Sequence, residues 1–282
     1  TLSCIPVLLV GIAAYHLYTN FIINMTEKSS IETIDLVCDD IDSLLNDAWT
    51  LCDMLTGDIK IQKYLRMDFD SIRDQYSNDL AGSMELASIS TYRKDIFGVY
   101  VFGQNGGRYK SNYYSFKSED QRETTWYKTI AGSRETTWFP SHEGSFIVRS
   151  SISDNFITVG QPVMDKASGM VNGIVAADIK EDVITQRIKH SLSNGVICII
   201  DQEGSILFRS NAGNDLHYPI DISPSLVSHI LESTGTAVGK SMVVPDSGYL
   251  VVSRTLMNSN WRIAGIIDRG FLTQSSKDIT HI

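Results

Sequence analysis

The amino-acid sequence predicts an α+β fold, in which a long N-terminal helix precedes two tandem modules that are each built on an antiparallel sheet. Three observations support this fold class. An apolar repeat with a helical period covers residues 31–55, a strand–glycine turn–strand pattern occurs twice, and each copy is followed by further apolar strands. The two turns are centred on Gly106 and Gly204. Because the pattern repeats, we expect two modules of the same kind.

The composition is that of a globular protein and excludes some functions. The 282 residues are enough for one large domain or two small ones, and 43% hydrophobic residues exclude outright disorder. The formal net charge of -9 argues against a nucleic-acid partner, which needs a basic surface.

The first predicted element is an apolar segment at the N-terminus. Residues 2–23 contain no Asp, Glu, Lys or Arg, and the segment is long enough to cross a bilayer, which takes ~20 residues. We therefore predict a transmembrane helix at 1–24 and localisation at the cell membrane. A cleaved signal peptide and a buried core helix are the alternatives. The chain begins at Thr1 rather than Met, so we expect a fragment whose cytoplasmic start is missing.

The second predicted element is a long stalk helix at 25–58. Its apolar residues alternate at spacings of three and four, and the acidic residues between them, Asp39, Asp40 and Asp42 among others, predict a solvated opposite face. The helix either packs against its own domain or pairs with a second copy to form a homodimer, and a rod of this length allows both. The apolar positions are Ile31, Ile34, Cys38, Ile41, Leu45, Ala48, Cys52 and Leu55.

Cysteine spacing and motif searches give no cofactor, metal site or catalytic site. Cys38 and Cys52 lie about 21 Å apart along one helix, too far for a disulfide, and no CxxC or Cys/His cluster is present. The sequence contains no G-x-S-x-G motif, no Walker-type phosphate loop and no dinucleotide fingerprint. We therefore predict that this fragment is not an enzyme in its own right.

The body of the chain divides into a module at 59–192 and a module at 193–270. Both contain the repeated strand pattern, which follows a mostly helical stretch at 59–86 in the first module, and a helical connector at 181–192 separates them. Residues 271–282 are predicted to lead into a second transmembrane helix. The later strands are predicted at 146–151, 157–163 and 171–179 in the first module, and at 237–244, 249–256 and 261–267 in the second.

Three motifs carry a family resemblance. In order, they are Trp126-Tyr127, then Trp138-x-Pro140-x-His142, and then GIVAADI at 173–179. Together with the predicted span and long helix, they resemble the double Cache (dCache) extracellular sensor domain, which has two tandem PAS-like modules. The order and spacing look most like the ectodomains of YesM-type sensor histidine kinases. The resemblance covers nearly the whole chain and implies a ligand site in the membrane-distal module, 59–192.

The same resemblance implies which residues hold the ligand. In amino-acid-binding members an Arg two positions before the Trp grips the ligand carboxylate, and an Asp on the last strand grips its amine. Here Asp178 fills the second position, but Thr124 fills the first, and a hydroxyl does not replace a bidentate guanidinium. We therefore expect a neutral polyhydroxylated ligand such as a sugar. The predicted ligand-binding residues are Tyr114, Trp126, Tyr127, Trp138, Arg149 and Asp178.

Each of these residues has a simpler interpretation. The aromatic residues are common in any core, Asp178 would also suit bonding within the sheet, and Arg149 would suit a solvated strand face. His142 lies in a turn-like segment, so we expect it to be exposed.

The predicted function is the extracellular or periplasmic ligand-sensing domain of a bacterial transmembrane receptor, namely a two-component sensor histidine kinase. Alternatives are the same sensor on a chemoreceptor or a diguanylate cyclase, and a membrane-anchored module that binds another protein. The expected partners are a small-molecule ligand, the membrane and a second copy of the chain through the stalk helix.

Overall fold

The computed structural model describes residues 4–90, 93–149, 154–189, 192, 195–210, 220–232, 242–244 and 248–268. The chain forms two compact units, one made of Thr1–Asp42 with Thr185–Ile282 and the other of Ser43–Ile184. The first helix contributes residues to both units. The helices are α1 (Cys4–Gly57), α2 (Ile59–Leu65), α3 (Ile72–Ser90), α4 (Thr125–Gly132), α5 (Glu181–Ile188) and α6 (Pro224–Glu232).

The N-terminal part of α1 overlaps the predicted transmembrane helix at 1–24. Within the described residues, no helix is both long enough and apolar enough to cross a membrane. Residues 1–3 of the predicted span lie outside the described part of the chain, and so does the predicted lead-in at 271–282.

Helix α1 buries the predicted apolar repeat. It is continuous over 54 residues, and the repeat positions from Ile34 to Leu55 are at most 1% exposed, while Ile31 is half-buried. Because this stripe is covered within a single chain, the alternative of packing against its own domain is confirmed for these positions. Asp39 and Asp40 are exposed as predicted.

Asp42 corrects the prediction of a fully solvated acidic face, because it is only 3% exposed. The Met257 backbone N–H donates to Asp42 Oδ1 at 2.7 Å, and Arg254 Nη2 donates to Asp42 Oδ2 at 3.1 Å. Arg254 Nη1 also donates to Asp39 Oδ1 at 2.7 Å. Hydrogen bonds from Arg254 and Met257 therefore compensate the burial of the Asp42 carboxylate.

The first sheet belongs to the unit Ser43–Ile184 and is antiparallel throughout, with the strand order β2-β1-β5-β4-β3. Helix α4 packs closely on one face of it, because a Cβ on Gly160 would lie 2.3 Å from Cδ1 of Ile130. The strands are β1 (Ile96–Gly103), β2 (Arg108–Lys110), β3 (Thr137–Glu143), β4 (Asn155–Met164) and β5 (Val171–Lys180).

The strand predicted at 146–151 is wrong for residues 146–149, because β3, which pairs with β4, lies earlier in the chain; residues 150 and 151 lie outside the described residues. Of residues 146–149, which the structure describes, only Val148 forms a bridge, to Phe116. The Ser145 hydroxyl accepts hydrogen bonds from the backbone N–H groups of Ile147 at 3.1 Å and Val148 at 3.2 Å. A side-chain turn therefore uses the N–H groups that a sheet ladder would need.

The second sheet has the same topology, with the strand order β7-β6-β10-β9-β8 and antiparallel neighbours. Helix α6 and strands β6, β9 and β10 share one apolar core. Residues 237–241 of the predicted strand at 237–244 lie outside the described residues. The strands are β6 (Gly195–Ile200), β7 (Ile206–Arg209), β8 (Met242–Val244), β9 (Tyr249–Thr255) and β10 (Arg262–Asp268).

The repeat seen in the sequence extends to single hydrogen bonds. Gly106 and Gly204 take left-handed φ values of 88° and 89° in the two turns, as a residue without Cβ readily does. After each turn a serine hydroxyl accepts a backbone N–H from the first strand: Ser111 from Val99 at 2.9 Å and Ser210 from Ile197 at 2.8 Å. The prediction of a repeated strand–turn–strand unit is therefore confirmed.

Candidate functional site

A buried carboxylate marks the polar centre of the first sheet. Asp178 is 0% exposed and lies on β5, opposite Gly98 of β1 and Thr158 of β4. Its Oδ1 accepts a hydrogen bond from the Thr158 hydroxyl at 2.6 Å, and its Oδ2 accepts one from the Ser145 hydroxyl at 2.5 Å. Burial raises the pKa of Asp178 to about 6, although the hydroxyls of Ser145, Thr158 and Tyr100 oppose the shift.

His142 extends this centre through Thr158. Its Nδ1 lies 2.9 Å from the Gly144 carbonyl oxygen, and its Nε2 lies 3.0 Å from the Thr158 hydroxyl. The ring also stacks on Phe146 at 3.6 Å between centroids. The expectation of an exposed His142 is therefore wrong: the ring is half-buried, and burial lowers its pKa to about 4.

The bonds of His142, Thr158 and Asp178 are coupled through their protons. A carbonyl only accepts, so Nδ1 of His142 carries a hydrogen, and in the neutral ring Nε2 is an acceptor. The Thr158 hydroxyl has one proton, which it gives either to Nε2 or to Asp178. A protonated Asp178 satisfies all three groups, because it donates to Thr158, which donates to His142.

An aromatic layer lies on the same face of the sheet as Asp178. Trp126 and Tyr127 of α4 are 7% and 2% exposed. The Trp126 ring lies parallel to Phe146 with centroids 6.1 Å apart, and edge-on to Phe102 at 5.8 Å. Among the described residues, neither the Trp126 Nε1–H nor the Tyr127 hydroxyl has a hydrogen-bond partner, although both atoms are buried. Burial raises the pKa of Tyr127 to about 12.

Tyr114 lies at the edge of this layer. It is half-buried, packs against the apolar cluster of the layer, and its ring centroid is 4.9 Å from that of Phe97. On its other side it stacks with Tyr113, which is 88% exposed. Four of the six predicted residues, namely Tyr114, Trp126, Tyr127 and Asp178, therefore belong to one side of the sheet.

The structure does not bring Trp138 and Arg149 to this group. Trp138 pairs with Val159, the neighbour of Thr158 on β4, so the pleat directs it to the opposite face from Asp178. Arg149 is exposed on the irregular segment after Ser145, where its backbone N–H donates to the Ser115 carbonyl at 2.9 Å.

The predicted ligand-binding set left out three residues that bond to this centre: His142, which was expected to be exposed, and Ser145 and Thr158. A polar residue inside the apolar run of β4 was the available signal for Thr158, as it was for Asp178 on β5. Within the part of the chain that the structure describes, no cluster of three His, Cys, Asp or Glu residues could hold a metal ion.

Comparison with solved structures identifies proteins that share this fold. No protein-family model and no curated protein matches the sequence. The ligand-binding domain of the Campylobacter jejuni chemoreceptor Tlp3, in complex with L-valine, is 14% identical with a TM-score of 0.60, covering 91% of this chain and 97% of that one. The ligand-binding domain of the Pseudomonas fluorescens chemoreceptor CtaA, in complex with L-isoleucine, is 14% identical with a TM-score of 0.54, covering 91% and 98%.

A third similar structure is the ligand-binding domain of the Pseudomonas aeruginosa PAO1 amino acid chemoreceptor PctC in complex with GABA. It is 17% identical with a TM-score of 0.53, and the alignment covers 86% of this chain and 100% of that one. At this level of identity the likeness is one of fold, and it supports the predicted α+β fold with antiparallel sheets.

Proposed function

We propose that this chain is the extracellular ligand-sensing domain of a bacterial transmembrane receptor, and that it binds a small molecule in the unit Ser43–Ile184. The fold supports this proposal, because it is shared over about nine-tenths of the chain with domains that bind L-valine, L-isoleucine and GABA. The N-terminal segment at 1–24 would anchor the domain in the membrane.

The proposed site comprises Tyr114, Trp126, Tyr127 and Asp178. The observation that carries it is the pair of buried polar atoms on Trp126 and Tyr127 that have no partner among the described residues, on the face of the sheet that also carries the fully buried carboxylate of Asp178. A buried donor without an acceptor costs about 1–3 kcal/mol, and a ligand that supplies the acceptor removes that cost. Trp138 is left out because it lies on the opposite face of the sheet, and Arg149 because it is exposed on an irregular segment.

The ligand class follows from the cationic groups near α4. Thr124 stands at the position where the family resemblance implies an Arg in amino-acid-binding members. Its hydroxyl donates to the Gln121 carbonyl at 2.5 Å. Arg122 places its Nε and Nη2 on the carboxylate of Asp120 at 3.0 and 2.7 Å. Neither residue offers a free guanidinium fork for a ligand carboxylate, which favours a neutral hydroxylated ligand such as a sugar.

The output domain is proposed from the sequence motifs. Their order favours a YesM-type sensor histidine kinase in a two-component system, whereas the three solved structures named above come from chemoreceptors and support that alternative output. The full-length receptor discriminates between them. Ligand-dependent phosphorylation of a histidine supports the kinase, and ligand-dependent methylation without phosphorylation supports the chemoreceptor.

Thermal unfolding of the 282-residue chain against a panel of sugars and amino acids tests the sensing function. A ligand at a hundred times its Kd adds about 2.7 kcal/mol to the free energy of unfolding and raises the Tm by several degrees. We expect Trp126→Phe, which removes the unpartnered N–H, to reduce the shift. Trp261→Phe is the matched control, because Trp261 is 5% exposed in the other unit. A shift that both variants retain in full would remove Trp126 from the site.

A further inference from the structure

A polar cavity lies at the end of the first sheet that is remote from Asp178. It has a volume of about 360 Å³ and lies between the β1–β2 turn, Gln75 of α3 and the segment at 118–122. Gly103 of the cavity wall pairs with Gly173, whereas Asp178 pairs with Gly98. Five residues along a strand correspond to roughly 16 Å, so this cavity is separate from the Asp178 centre.

Hydrogen-bond donors converge on the turn at Gly106. Gln75 Nε2 donates to the Gly106 carbonyl at 2.9 Å, and Arg122 Nη1 donates to the Gln104 carbonyl at 3.0 Å. A methyl group placed on Gly106 would lie 3.6 Å from Gln75 Nε2 and 3.8 Å from Arg122 Nη1. A group of methyl size therefore fits above this glycine in van der Waals contact with two nitrogen donors, and an oxygen acceptor suits that place.

Gln121 supplies an acceptor at the same cavity. Its side chain is 2% exposed, and its Nε2 donates to the Glu119 carbonyl at 3.3 Å. That bond fixes the amide orientation and leaves Oε1 buried with no partner among the described residues. A ligand hydroxyl that donates to this amide oxygen supplies the missing hydrogen bond.

The charges of the wall favour a neutral ligand. Arg108 and Arg122 are balanced by Glu119 and Asp120. The carboxylate of Asp120 already occupies the Nε and Nη2 edge of Arg122, so this guanidinium does not present a fork to a ligand carboxylate. Hydroxyl groups both donate and accept, and they therefore match a wall that mixes amides, carboxylates and guanidinium groups.

We propose that this cavity binds a small, neutral, polyhydroxylated molecule with the size and chemistry of a monosaccharide. The volume of about 360 Å³ is within the usual range of ligand pockets, and Phe102 is part of the cavity wall. The proposal for this cavity does not depend on ligand binding at the Asp178 centre. It applies whether the receptor responds to a ligand in the cavity or to one at Asp178.

Amide NMR spectra of the 282-residue chain test the site directly. D-Glucose, D-xylose and myo-inositol are the neutral probes, and L-alanine and acetate are the probes that carry a carboxylate. We expect a neutral probe at millimolar concentration to shift the amide signals of Gly106 and Gly107. Gln121→Leu should weaken this binding about fivefold through loss of one hydrogen bond. Gln62→Leu is the matched control, because Gln62 also has a buried, unpartnered Oε1 but lies elsewhere in the unit.

Three results would overturn the proposal. The first is that no neutral probe shifts Gly106 or Gly107 in the wild-type chain, a measurement that needs no variant to fold. The second is that L-alanine or acetate shifts them while the sugars do not, which contradicts the ligand class. The third is binding that survives Gln121→Leu but is lost in Asp178→Asn, which assigns the probe to the Asp178 centre.

Discussion

Nε2 of His142 lies 3.0 Å from the hydroxyl oxygen of Thr158, and the same hydroxyl lies 2.6 Å from Oδ1 of Asp178. Burial raises the pKa of Asp178 from 3.8 to about 6 and lowers the pKa of His142 from 6.5 to about 4. Stability from the raised pKa of Asp178 is present at low pH and lost as the pH rises through 6. Stability from the lowered pKa of His142 is present above pH 6.5 and lost as the pH falls toward 4.

We therefore expect the two contributions to oppose each other between pH 4 and 6.5. Asp178→Asn should leave a free energy of unfolding that rises with pH across this window, and His142→Phe should leave one that falls by about 2–3 kcal/mol as the Asp178 carboxyl ionises. The wild-type curve should be flatter than either. Urea unfolding at several pH values measures these free energies. If they varied with pH in the same way in the wild type and both variants, the opposing contributions of Asp178 and His142 would be contradicted.

Asp42 should contribute far more stability than Asp39, although both bond to Arg254. Asp42 is 3% exposed, so Asp42→Ala leaves a buried guanidinium without its buried partner, at a cost of about 3–5 kcal/mol. The side chain of Asp39 is 65% exposed, and Asp39→Ala should cost less than about 1 kcal/mol. Chemical denaturation of both variants compares them, and equal losses would show that burial does not set the difference.

Gly173 should not tolerate a side chain. A Cβ at this position would lie 2.2 Å from the backbone oxygen of Phe102 on the neighbouring strand. Since backbone cannot turn aside as a side chain can, Gly173→Ala should cost about 1–3 kcal/mol or more. Gly132→Ala is the control, because no described atom outside its chain neighbours and its own helix backbone lies within 4 Å of the Cβ position. Thermal melts in which both variants match the wild type would contradict this packing.

Self-association should depend on the N-terminal part of α1. The repeat from Ile34 to Leu55 is buried within one chain, whereas Leu9, Leu17 and Phe21 are 61–72% exposed. We expect the chain to dimerise weakly in detergent and to become monomeric when residues 1–28 are removed. Sedimentation measures both forms, and a dimer that persists without these residues would place the contact elsewhere.

Periodicity predicted those parts of the fold that depend on local pattern. The apolar repeat of α1, the glycine turns and most strands follow from spacing alone, and an acid in an apolar strand identified Asp178. The first sheet's third strand was missed, because Ser145 diverts the N–H groups of the segment that reads as a strand. Trp138 depended on register: a shift of one residue moves a side chain to the other face of a sheet, and composition does not encode that shift.

The bond between Asp42 and Arg254 joins residues 212 positions apart within one unit. During synthesis the helix that carries Asp42 emerges long before its partner. At about 5–20 residues per second the interval is roughly 10 to 40 s. The unit Ser43–Ile184 is complete in sequence well before that, so it can fold once it has crossed the membrane, while the apolar stripe near Ile34 still lacks its partners from the later strands. Nascent chains stalled before β10 should therefore depend on a chaperone at that segment.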